Sequence, residues 1–220
     1  MNNYDQIIYN TAIDEGFTDT VAKLIAAQAR LETSENGTDY NTQNFICNNN
    51  MFGMKYAGQS LATRGTPAPT SERQSGCGVS GSGCDRVGVG TCSNGDFYAR
   101  YNSPEDSVKD AIQRLFKKTI NGVTPEELNT AIDSTSYATI QKKRGYFGFH
   151  PYGTAGAEDE INQYASFLRA RLKRVSVTDY IADFYKNNTS KVNFAIIGGV
   201  IIGLTGYMYY LYKKGIILKK

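Results

Sequence analysis

Apolar side chains at Tyr4, Ile7, Ile8, Ala12 and Ile13 recur three or four positions apart, which predicts an amphipathic helix at the start of the chain. The same period returns at Val21, Leu24, Ile25, Gln28 and Leu31, with Thr18 or Asp19 placed to cap that second helix. Ser103 followed by Pro104, Glu105 and Asp106 is a strong helix start, combining a cap, a proline in the first turn and acids on the positive end of the dipole. The helix it opens turns Val108, Ile112, Leu115 and Phe116 inward and is expected to stop near Gly122. Thr124-Pro125-Glu126-Glu127 repeats the signal for a shorter helix, and another begins near Ala157 and reaches Arg174 or beyond. Between the helical stretches, residues 57–100 are dense in glycine, carry Pro67 and Pro69, and hold three of the four cysteines, so this part reads as loop-rich and partly β.

The C-terminal pattern is of another kind. Val192 to Tyr212 is a run of 21 residues without a charge. As a helix at about 1.5 Å per residue it would measure roughly 32 Å, enough to cross a hydrocarbon core. Tyr207, Tyr209, Tyr210 and Tyr212 gather at one end, followed by Lys213, Lys214, Lys219 and Lys220. The expectation is a single transmembrane helix with the C-terminus on the cytoplasmic or equivalent side. Gly199 and Gly203 would let two such helices associate, as like or unlike partners. The expected organisation is a domain over 1–186 with a β lobe at about 56–101, a linker at 187–191, a membrane span at 192–212 and a basic tail at 213–220. The N-terminus lacks the basic start and apolar run of a secretory signal.

Composition narrows the chemistry. A formal net charge of +3 over 220 residues makes no case for nucleic acid, and the basic run Arg169–Arg174 reads as a solvated helix face. One histidine argues against a Ser-His-Asp triad or a His-rich metal site, and no cofactor is implied. Carboxylates and the 16 tyrosines remain. Glu32 ends a mostly apolar helix, where desolvation raises a carboxyl's pKa and lets it donate a proton near neutrality, the requirement on a glycosidase acid.

Two runs carry a resemblance. Ala27-Gln28-Ala29-Arg30-Leu31-Glu32-Thr33 and Asn49-Asn50-Met51-Phe52-Gly53-Met54-Lys55 resemble motifs of the glucosaminidase family, glycoside hydrolase family 73, which cleaves the glycan of bacterial peptidoglycan. Phe97-Tyr98-Ala99-Arg100-Tyr101-Asn102-Ser103 and Gly145-Tyr146 continue it more weakly, over about residues 18–172. The resemblance implies an α+β, mainly α, lysozyme-like two-lobed domain with Glu32 as general acid. It implies a second carboxylate on a hairpin of the β lobe, best matched by Glu72 in Pro69-Thr70-Ser71-Glu72-Arg73, with Glu35, Asp39, Asp85 and Asp96 as competitors. Tyr146 matches an active-site tyrosine, and Asn50, Phe52, Gly53, Lys55 and Tyr101 are the expected substrate-binding residues. The chain departs from the family pattern after the tyrosine: Tyr146-Phe147-Gly148-Phe149-His150-Pro151 stands where Ala-Thr-Asp-Pro usually follows.

An enzyme acting on a cell wall works where disulfides persist. Cys47, Cys77, Cys84 and Cys92 therefore read as two bridges, against a zinc site at unusual spacing or buried free thiols. Of the three connectivities, among which the sequence does not choose, Cys77–Cys84 with Cys47–Cys92 is the pairing put first. The functional expectation is a membrane-anchored endo-N-acetylglucosaminidase acting on peptidoglycan, with a lipid membrane as second partner through 192–212. A bacteriophage with a membrane in its virion is the favoured setting, the host envelope the other. The alternatives are a lytic transglycosylase and a non-catalytic wall-binding membrane protein.

Overall fold

The computed structural model describes residues 3–33, 42–68 and 77–175, all of which belong to one compact unit. Helix α1 (Asn3–Asp14) buries Ile8 and Ala12, and α2 (Asp19–Thr33) buries ten of its residues. Thr18 supplies the α2 cap, its hydroxyl accepting from Val21 N at 3.4 Å. The small side chains Ala22, Ala26, Ala27 and Ala29 are all fully buried, which lets neighbouring helices approach α2 closely. A short helix α3 (Gln43–Asn48) follows, then β1 (Ala62–Pro67), β2 (Cys77–Ser80), β3 (Val87–Gly90) and β4 (Phe97–Tyr101).

The strands make two separate two-stranded antiparallel sheets. In one, β1 pairs with β4, Ala62 opposite Tyr101 and Pro67 opposite Phe97, with a register shift between Arg64 and Pro67. In the other, β2 and β3 form a hairpin with Cys77 opposite Gly90. Helix α4 (Pro104–Ala111) starts as expected, with Ser103 Oγ accepting from Asp106 N at 3.2 Å. It does not continue as α-helix toward Gly122. It widens into a π turn over Ile112–Phe116, closed by Lys117 N donating to Ile112 O at 2.8 Å. The Arg144 guanidinium caps the end of this turn, donating to the carbonyls of Leu115 and Lys118. Helices α5 (Pro125–Leu128), α6 (Ser134–Lys143) and α7 (Ala157–Val175) complete the described chain.

The core is shared among these helices: Leu24 and Ile25 of α2, Met51, Ile112 and Phe116, Leu128, Tyr137 of α6 and Leu168 of α7. Each such large side chain contributes about 1.5–3 kcal/mol on burial. One charged pair is buried with them. Arg30 of α2 donates through Nε and Nη2 to the two carboxylate oxygens of Asp5 in α1, both at 2.8 Å.

Two expectations are corrected. The class is mixed α/β rather than an α+β, mainly α, lysozyme-like domain closed by a transmembrane helix, and no helix among the described residues is long and apolar enough to cross a membrane. The 19-residue α7 is long enough, but Glu158, Asp159, Glu160, Arg169, Arg171 and Lys173 lie along it, so it is amphipathic. Segment 192–212 and its flanks lie outside the described residues. The single-pass localisation, in a virion membrane or a host envelope, falls with that finding.

The cysteines form two disulfides with partners other than those expected: Cys47–Cys84 and Cys77–Cys92. Cys77 opens β2 and Cys84 lies beyond its far end, so a four-residue strand rising about 3.3 Å per residue holds those two apart. Cys92 instead follows β3 and returns beside Cys77, closing the base of the hairpin. The turn Gly83–Asp85 packs on α3, which brings Cys84 to Cys47.

Candidate active site

Glu32 sits in the last turn of α2, partly buried, with its carboxyl aimed at the segment that follows α6. That segment is placed by a local device. Gly145 N donates to Lys142 O at 2.9 Å and Tyr146 N to Gln141 O at 3.0 Å, the two crossed bonds of a Schellman cap. The cap needs a left-handed residue, and Gly145 supplies it at φ +72°. The chain therefore reverses at Gly145 and delivers Tyr146 toward α2, where its hydroxyl donates to Glu32 Oε1 at 3.2 Å. Residues 114 positions apart in sequence are thus in direct contact.

Below the pair lies a buried polar cluster. Gln28, one turn before Glu32, accepts at Oε1 from the Tyr137 hydroxyl at 2.7 Å and from Gln141 Nε2 at 3.0 Å. These bonds fix the α2 face on which Glu32 stands. The rings of Tyr146 and Tyr164 lie 6.4 Å apart, and Phe147 stacks on Tyr164 at 4.0 Å.

The electrostatics follow from this packing. Burial raises the Glu32 carboxyl above its ordinary value, and the bond from Tyr146, which favours the ionised form, only partly offsets it. Tyr146 is pushed well above the usual phenol range, first by burial and then by the negative charge of Glu32, so it remains a neutral donor. Tyr98 of β4 is raised for the same two reasons, burial first and the Glu32 charge second. The arrangement is a carboxyl whose proton is held more tightly than an ordinary glutamate's, with one hydroxyl donor fixed on it and a second tyrosine within its field. Tyr98 was not among the expected site residues. The strand's alternation carried the signal: Phe97, Ala99 and Tyr101 point inward, which leaves Tyr98 on the other face.

The structure places the remaining expected residues elsewhere in the architecture. Asn50 is fully buried, and its amide donates to the Met54 and Ala99 carbonyls while accepting from Met54 N. It ties the loop after α3 to β4. Phe52 packs edge-on against Phe116 at 5.7 Å inside the core. Gly53, directly after Phe52, adopts φ +61°. Tyr101 is buried and donates to Asp110 Oδ2 at 2.7 Å, bracing β4 on α4. Lys55 is exposed and bridges to Tyr98 through the backbone.

Among the other carboxylates, Asp96 is buried as half of a capping box, accepting from Ser93 N at 2.6 Å, and Asp85 lies exposed in the hairpin turn. Glu72, Glu35 and Asp39 lie outside the described residues.

With this geometry in view, comparison with known proteins gives one result. The Glucosaminidase family model, described as mannosyl-glycoprotein endo-beta-N-acetylglucosaminidase, matches residues 13–195. No curated protein and no solved structure matches the chain.

Proposed function

Since the chain belongs to the Glucosaminidase family and is an endo-β-N-acetylglucosaminidase acting on glycans, we propose that it hydrolyses peptidoglycan with Glu32 as general acid and Glu72 as second carboxylate. The observation that carries this reading is the Glu32 carboxyl: raised by burial, at the end of a helix packed on two sides, and bonded by Tyr146. In the forward step Glu32 gives its proton to the glycosidic oxygen, the leaving sugar departs as an alcohol, and positive charge develops at the anomeric carbon of the sugar left behind. Water then adds at the anomeric carbon and loses a proton to Glu72, either directly or after the substrate's own N-acetyl oxygen has attacked. Tyr146 keeps the acid's carboxyl oriented and, being held neutral, stabilises the carboxylate that remains after transfer. Tyr98 of β4, which lies within the field of the Glu32 charge, is the proposed sugar contact among the described residues of the β side.

The two disulfides support work in an oxidising space such as a cell wall. The test is digestion of purified peptidoglycan by the full chain, wild type beside Glu32→Gln, with product ends identified by mass spectrometry. New reducing N-acetylglucosamine ends from the wild type alone are expected. Reducing N-acetylmuramic acid ends, anhydro-muramic ends or equal products from both proteins would overturn the assignment.

A further inference from the structure

The segment directly after Tyr146 is where the chain leaves the family pattern, and it carries features that the catalytic pair does not use. Phe149 is 97 % exposed and Tyr152 is 49 % exposed, although both are large aromatic side chains. The backbone over 147–150 is nevertheless held by hydrogen bonds. Glu160 of α7 accepts from Phe149 N at 3.0 Å, from His150 N at 3.3 Å and from His150 Nδ1 at 2.9 Å, and it also pairs with Lys142. Lys142 donates in turn to Phe147 O at 3.1 Å. The Lys142 ammonium foremost holds the Glu160 carboxyl down to about 2, so Glu160 accepts these bonds as a carboxylate. Gly148, at φ +78°, fits between these groups because a Cβ there would strike Glu160 and Lys142.

The pinned backbone at Phe149 presents a bare aromatic ring preorganised for contact, since little ordering remains to be done on binding, while Tyr152 beside it has the Lys143 ammonium over its ring at 5.5 Å. Two adjoining hollows, of about 390 and 260 Å3, are both lined by Phe147, Gly148 and Phe149, and Tyr152 lines the larger, which is of a size that takes a small-molecule group. Phe149 is three residues from Tyr146, so its Cα lies at most about 11 Å from that of the tyrosine bonded to Glu32. A pyranose ring presents an axial C–H face that lies flat on an aromatic ring and hydroxyls that reach the polar rim.

We propose that Phe149 and Tyr152, on the clamped loop 147–152, form an additional sugar-binding platform that receives a pyranose residue of the glycan strand beyond those at the cleavage point. The identity of this ligand rests on the glycan-cleaving reading given above. An anionic lipid surface is the less fitting occupant. The nearby cations Lys142 and Lys143 are already paired, with Glu160 and Glu127, and so offer no basic patch.

Retention of the full chain on three supports tests this, in a Glu32→Gln background so that nothing is digested. The supports are peptidoglycan sacculi, glycan strands freed of their stem peptides, and vesicles of phosphatidylglycerol with phosphatidylcholine. Phe149→Ala and Tyr152→Ala are each expected to weaken retention on sacculi and on bare strands by about tenfold. Phe149→Tyr restores it, and Ile132→Ala, another exposed apolar site, leaves it unchanged. An unaltered thermal midpoint shows that the alanine variants are folded.

Full retention of both alanine variants would overturn the proposal. So would a loss confined to sacculi, which would mean the contact is with stem peptide, or a loss confined to vesicles, which would mean lipid. If the protein with Glu32 intact fails to cleave sacculi while the alanine variants still lose retention, the platform stands and the catalytic assignment falls. The converse pairing leaves the catalytic assignment standing without the platform.

Discussion

The helical part around Glu32 and the hairpin of β2 and β3 are stabilised by different means. Helix α2 buries ten of its residues against α1, α6 and α7, and buried polar bonds of Gln28 and Arg30 fix it further, so Glu32 stands on an element held by non-covalent contacts. The hairpin has strands of four residues, and Val87 and Val89 on it are exposed. Such a unit gains too little from burial to hold itself. Two disulfides take that part, one across its base and one from its turn to α3. The contrast shows a division of labour: burial fixes the Glu32 carboxyl and raises its pKa, while covalent links position a lobe that has almost no core of its own.

The strongest way to break the comparison is at the acid. Glu32→Gln is expected to lower hydrolysis by at least about 10²–10⁴-fold, read from product release. It should not destabilise the helical half. A carboxyl whose folded pKa is raised contributes stability below its unfolded value that is lost as pH rises through the folded value. The variant should therefore be the more stable protein at neutral pH and above, with the difference vanishing in acid, as thermal midpoints across pH would show.

Replacing Cys77 and Cys92 together by serine tests the other half. Opening a loop whose ends are 15 residues apart costs about 3 kcal/mol in the entropic account. The loss should fall on the hairpin. Activity drops while the far-ultraviolet helical signal persists, and hydrogen exchange rises locally over residues 77–92. Uniform loss of helix would mean that the two halves are not independently held.

Gly145→Ala comes next, because it attacks the link between α6 and the site. An alanine at φ +72° bears about 1–2 kcal/mol of strain, and its Cβ would lie 3.0 Å from Asn121 Nδ2. A lower melting temperature should be accompanied by weaker catalysis, since Tyr146 is delivered by this turn. Tyr146→Phe is the mildest change. Removing a donor that favours the ionised carboxyl raises the Glu32 pKa further, so the alkaline limb of the pH–activity profile moves to higher pH. A shift to lower pH would show that the tyrosine does not act on the acid in this way.

What the sequence disclosed follows the range of the forces involved. Helix starts at Ser103-Pro104 and Thr124-Pro125 were legible because cap, proline and acid lie within four residues. Helix α6 left no such trace in its apolar pattern. Its Ser134-Thr135-Ser136-Tyr137-Ala138-Thr139 start is poor in helix formers, and it is held by the Asp133 capping box and by burial of Tyr137 and Gln141 against α2. The Glu32 and Tyr146 motifs were each visible, but their contact depends on where α6 ends relative to α2. The disulfide partners depended on the register of a hairpin that spacing does not specify. Asn50, Phe52 and Tyr101 show that a recognisable motif residue can serve as a brace for the site's frame rather than project into a groove.

The buried pairing of Arg30 with Asp5 bears on where this enzyme can be cut or grafted. The family match begins at residue 13, yet Asp5 lies before it, on α1, and Arg30 stands two positions from the acid. A chimera joined at the family boundary would leave the Arg30 guanidinium in the interior without the Asp5 carboxylate, two positions from Glu32. The smallest transplantable unit therefore starts upstream of the homologous region, and α1 travels with the active site as its private counterweight.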